Sequence, residues 1–148
     1  MSIYPLFIQA SQRYEVSVMH YETLLKERED IFSRTQPQGI RYDRDKVMTS
    51  PNGDPFTAYM AEMERTGLQK RIETARTIMT DYKAIRDERE ASLRRSKDLY
   101  DKIYRMRYLD HLKPLYIARR IGYSKSEIYR KLDSIEKKMG KYGNNRMI

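Results

Sequence analysis

The chain has 148 residues, enough for one ordinary domain or a small domain with a helical extension. It is 39% hydrophobic and 34% charged, with a net charge of +9 and no cysteine, which excludes disulfides and thiolate metal sites. No apolar run approaches the ~20 residues of a membrane span, and the opening MSIYPLFIQASQRYEVSV lacks a basic segment followed by an apolar core. The expectation is a soluble, cytoplasmic protein without a membrane partner.

The first predicted element is a long amphipathic helix. Phe7, Tyr14, Val18, Tyr21, Leu25 and Phe32 recur at steps near three and four, with Ser11 and Arg28 filling the missing beats. Pro5 suits its first turn. The pattern stops before RTQPQGIRYDRDKVMTSPNGDP, where Pro37, Gly39, Pro51, Asn52 and Gly53 predict a loop at about 35–54. A loop this long is either functional or disordered.

A second helix starts with Asp54 as N-cap and Pro55 at its first position. Met60, Met63, Leu68, Ile72, Ala75, Met79 and Tyr82 keep its apolar rhythm. From Arg86 to Lys97 the pattern thins, leaving Leu93 as the large apolar residue, which predicts a solvated helix or a bend. Residues 1–98 therefore read as a long, coiled-coil-like helical hairpin. Its stripes are expected to drive self-association, giving a homo-oligomer.

Residues 99–140 read as three short helices, about Leu99 to Leu109, Pro114 to Arg120 and Lys125 to Met139, followed by a tail, 141–148. Gly122 supplies turn geometry that a residue with a Cβ resists. Ser124 and Glu127 have the spacing of a capping box that starts the third helix. Ile128, Leu132, Ile135 and Met139 give that helix one apolar face, and Ile117, Ala118 and Ile121 give the second helix another. The fold class is all-α, with a helix-turn-helix at the C-terminal end.

The charge is uneven. Residues 99–148 carry 13 bases and 5 acids, so +8 of the +9 sits in the last third. Such a patch fits a polyanion, although a solvated basic face would have the same composition. Lys125, Ser126, Tyr129, Arg130 and Asp133 project from the outer face of the third helix, with Lys131, Lys137 and Lys138 nearby. Short polar and basic side chains there suit base edges in a major groove, and the further bases suit phosphates. Arg119 and Arg120, ending the second helix, are placed for the backbone. The expected partner is double-stranded DNA, at a promoter or operator.

Met106-Arg107-Tyr108-Leu109, Leu112, Ile117-Ala118, Ile121-Gly122-Tyr123-Ser124, Ile128 and Leu132 resemble region 4 of bacterial sigma factors. Lys113-Pro114 stands where those modules place a Ser/Thr cap and an acidic pair. Nothing corresponds to the promoter-melting regions, so a complete sigma factor is not expected. Over a longer span, including Lys46 to Pro55, the chain resembles the phage-encoded late-transcription regulators of the RinA/ArpU-like group. That resemblance implies an activator of phage late genes, with host RNA polymerase as a further partner.

Enzyme chemistry is not expected. His20 and His111 lie in different segments with no ligand partner at helical spacing, and no phosphate loop or nucleophile elbow is present. No catalytic residue, metal or cofactor is assigned. The alternatives are a small terminase-like packaging protein, which would usually place its DNA-binding module first, and a helical protein adaptor.

Overall fold

A computed structural model describes residues 1–36 and 55–144, with side chains through residue 140, and every element among them is helical. The loop expected at about 35–54, its Asp54 cap and the side chains of 141–148 lie outside the described residues. No helix among the described residues is long and apolar enough to cross a membrane.

Contacts divide the chain into two units, residues 17–80 and residues 1–16 together with the chain from 81 onward. The contacts group 1–16 and 81–98 with the C-terminal residues. Apolar side chains near position 5 and near position 93 share a core with those beyond 100, as described below.

The 17–80 unit contains the later part of α1 (Tyr4–Thr35), all of α2 (Pro55–Thr66) and the start of α3 (Leu68–Arg95). Leu24 and Ile31 of α1 bury against Met63, Leu68, Ile72 and Ala75, with Tyr21, Leu25 and Tyr59 packed beside them. Arg76 donates to the Tyr21 hydroxyl at 3.1 Å and Arg71 pairs with Glu27 at 3.6 Å, so α1 and α3 run antiparallel here. These exposed contacts add little stability; the buried apolar residues, at roughly 1.5–3 kcal/mol for each large side chain, hold the unit. Leu24 and Ile31 thus cover Met63, Leu68, Ile72 and Ala75 within the chain.

Two details of the expected pattern are corrected. The buried stripe of α1 runs through Ala10, Ser17, Leu24 and Ile31, one residue before the predicted Val18, Leu25 and Phe32; Phe32 is 52% exposed. Neighbouring apolar pairs at 24/25 and 31/32 fit either register of a 3.6-residue helix, and polar Ser17 disguised the one used. The second helix is also interrupted. Gly67 adopts a φ of +62° between α2 and α3, and its N–H reaches back to the Glu64 carbonyl at 3.2 Å. Met60, before the break, stays 48% exposed, while Met63, also expected in the stripe, is buried.

The other unit is built from the start of α1, the end of α3, α4 (Leu99–Tyr104), a π-helical turn at Arg105–Leu109, α5 (Pro114–Ile121) and α6 (Lys125–Asn144). Its core joins Tyr4, Phe7 and Ile8 to Leu93, Ile103, Tyr104, Ile117, Ala118, Ile128, Leu132 and Ile135. Leu93, in the stretch expected to be a solvated helix or a bend, is completely buried. The Tyr4 and Tyr104 rings stack at 5.4 Å, and Tyr108 lies 4.9 Å from Tyr104. Burial, with Tyr108 adding to it, pushes the Tyr104 phenol up to about 12.

Polar groups fix how these pieces meet. Asp98 caps α4, accepting from the Tyr100 and Asp101 amides at 3.1 and 3.3 Å. Ser2 donates to the same carboxylate at 2.7 Å, and this bond is the main reason its pKa lies below the ordinary value. Asp101, fully buried, accepts from the Ile3 and Tyr4 amides at 3.0 and 2.9 Å and from the Ser96 hydroxyl at 2.6 Å. It serves as the N-cap of α1, a helix whose own sequence offers none at Ile3. The π turn ends where the Asp110 amide reaches the Arg105 carbonyl at 2.9 Å and His111 takes a φ of +56°.

Candidate nucleic-acid interface

The exposed site is built on α5, the turn after it and α6. Pro114 starts α5 with its φ already set and no N–H to satisfy. Gly122 ends it at φ +85°, ψ +26°, and the Gly122 and Tyr123 amides return to the Ala118 carbonyl at 2.9 and 3.1 Å. A Cβ built on Gly122 would meet nothing within 4 Å, so the requirement for glycine there is conformational rather than steric. Ser124 Oγ then accepts from the Glu127 amide at 3.3 Å, one arm of the expected capping box. Ile117, Ile128 and Ile135 are completely buried, which fixes the rotation of both helices.

That rotation places the predicted residues unequally. Ser126, Arg130, Asp133 and Lys137 are all exposed and, at helical spacing, lie opposite the buried Ile128–Leu132–Ile135 stripe. Lys125 and Tyr129 take one flank, with the ammonium 5.7 Å from the ring centroid. Arg119 and Arg120 are exposed on α5 beside the solvent-facing Leu115 and Tyr116. Asp133 puts an acid in the middle of the outer face.

Compared with protein-family models, curated proteins and solved structures, the chain matches none.

Lys131 and Lys138 differ from the others. Lys131 is half-buried, with its ammonium 5.0 Å from the Tyr100 ring and 5.8 Å from the Tyr123 ring. Lys138, one heptad later on the same flank, lies 5.6 Å from the Tyr4 ring. Both lie beside a ring from a distant segment of the chain, whereas Lys125 lies beside a ring of its own helix. Spacing alone could not reveal this, because Tyr4 and Tyr100 are distant in sequence. Among the described residues, no group of three or more His, Cys, Asp or Glu side chains could hold a metal ion.

Proposed function

We infer that the chain is a sequence-specific DNA-binding transcription regulator, in which α5 and α6 form a helix-turn-helix and α6 enters the major groove. The observation that carries this reading is the outer face of α6. Ser126 and Arg130 stand exposed in its first two turns, opposite the buried Ile128–Leu132–Ile135 stripe, with Tyr129 exposed on the flank. A groove-inserted helix needs this division: a rigid apolar back and a front of side chains that hydrogen-bond base edges. Lys125 and Lys137, with Arg119 and Arg120 at the end of α5, would hold phosphates on either side. The resemblance to region 4 of sigma factors and to RinA/ArpU-like regulators supports the activation of phage late genes as the biological role, with host RNA polymerase as a partner. No catalytic step is proposed.

The test is selection of bound duplexes from a random pool at near-physiological salt. A shared motif, bound at least about a thousandfold more tightly than random DNA, is expected. Recovery of a pool with no enriched sequence overturns the reading of α6 as a recognition helix.

A further inference from the structure

A second group of bases lies away from the outer face of α6. Lys97, Lys102, Arg105 and Arg120 line one hollow, brought together from the linker after α3, from α4, from the π turn and from the last turn of α5. Leu99, Met106 and Ile121 complete its wall, and no acid is among the lining residues.

Four cations around one depression repel one another, and the sequence places acids close enough to relieve them. The fold uses those acids elsewhere. Asp98 is engaged by Ser2 and the first amides of α4. Asp101 is buried against Ile3, Tyr4 and Ser96. Asp110 pairs with Arg94 at 3.5 Å. Among the described residues no carboxylate pairs with any of the four lining bases. Arg105 gives one N–H to the Arg94 carbonyl, which anchors its guanidinium while leaving other donors. The apolar wall lowers the local dielectric and so strengthens attraction to any anion that enters.

We propose that this hollow binds a backbone phosphate of the DNA duplex, forming a sequence-independent clamp separate from the reading face of α6. The clamp rests on the DNA-binding reading above and extends it to α4 and the π turn. Its ligand is a phosphodiester oxygen pair, which suits two forked guanidinium and two ammonium groups. Arg120 belongs to both sets, since it ends α5 and faces the hollow.

The experiment measures binding of the full chain to a random-sequence duplex across a salt series. Lys97→Gln/Lys102→Gln is the test variant, because neither side chain makes a hydrogen bond or ion pair within the described fold. Lys26→Gln/Lys70→Gln removes the same charge from the other unit and is the control. The test variant should lower the salt slope by about two and weaken binding roughly ten- to a hundredfold at 0.1 M salt. The control should leave both nearly unchanged, and circular dichroism should show equal helicity for all three proteins. Equal losses in test and control variants overturn the clamp, since they reveal only net charge. A wild-type slope retained by the test variant also overturns it and leaves the DNA-binding reading intact. A wild type that fails to bind duplex at all overturns both.

Discussion

The Asp101 carboxylate accepts the amide hydrogen of Tyr4 at 2.9 Å across 97 positions of the chain. A helix normally takes its cap from the residue just before it; α1 takes it from the first turn of α4. Asp101→Ala leaves the Ile3 and Tyr4 amides and the Ser96 hydroxyl facing a buried gap. The expected loss is about 2–3 kcal/mol, the range for hydrogen bonds to a charged, buried acceptor. Urea unfolding of variant and wild type measures it, and a loss below ~0.5 kcal/mol would show the cap to be dispensable.

Asp98 gives a pH signature. Its folded-state pKa is held below the ordinary value of 3.8, chiefly by the Ser2 hydroxyl, so the unfolded chain takes up this proton first. Its contribution is therefore present above about pH 5 and disappears as the pH falls through the lowered folded value. The stability difference between wild type and Asp98→Asn should shrink steadily below pH 3.8 in acid titrations followed by circular dichroism. A constant difference down to the acid transition contradicts this.

Tyr104 acts at the other end of the scale. With the folded phenol raised from 10.0 to about 12, the unfolded chain ionises first as the pH rises. The stabilisation is complete below pH 10 and is lost towards pH 12, so wild type should weaken there relative to Tyr104→Phe. Thermal melts of the two proteins at several alkaline pH values check the sign.

Gly122→Val should destabilise the unit containing α5 and α6 by about 1–3 kcal/mol, the cost of forcing a β-branched residue to positive φ. Since no atom waits within 4 Å of a new Cβ, Gly122→Asn should cost clearly less. Equal losses for the two variants in thermal unfolding would point to crowding instead of backbone conformation.

On the proposed reading, Arg130 and Lys137 have different tasks on one face. Arg130→Ala should lose ~1–3 kcal/mol on the selected site and far less on random DNA. Lys137→Ala should weaken both about equally and lower the salt slope by roughly one unit. Lys137 suits this comparison better than Lys138, whose removal would also strip a contact from Tyr4. Anisotropy titrations on both duplexes decide, and equal ratios for the two variants would remove the reading role from Arg130.

What the sequence revealed depended on how local the controlling interaction was. Pro114, Gly122 and Ser124 mark helix ends through bonds within four residues, so the bounds of α5 and the start of α6 were legible. The register of α1 was not, because Leu24/Leu25 and Ile31/Phe32 offer two equivalent stripes and only the facing Ile72 and Ala75 choose between them. Gly67 was overlooked because the apolar rhythm continues on both sides of it. The cap from Asp101 and the rings covering Lys131 and Lys138 were invisible for another reason: each joins residues far apart in sequence, and no short pattern announces such a pair. The bases Lys97, Lys102 and Arg105 stand well before Arg120 in sequence, and only folding brings the four to one hollow.

Tyr4, Phe7 and Ile8 share their core with residues as late as Ile135. On a ribosome adding about 5–20 residues each second, the two halves of this core are made several seconds or more apart. Through that interval the leading turn of α1 has neither its cap nor its apolar cover. It must fray or be shielded until α6 emerges. The unit that carries α5 and α6 can therefore close only after Ile135 has been made, and a chain cut short before α6 lacks Ile128, Leu132 and Ile135 of its core.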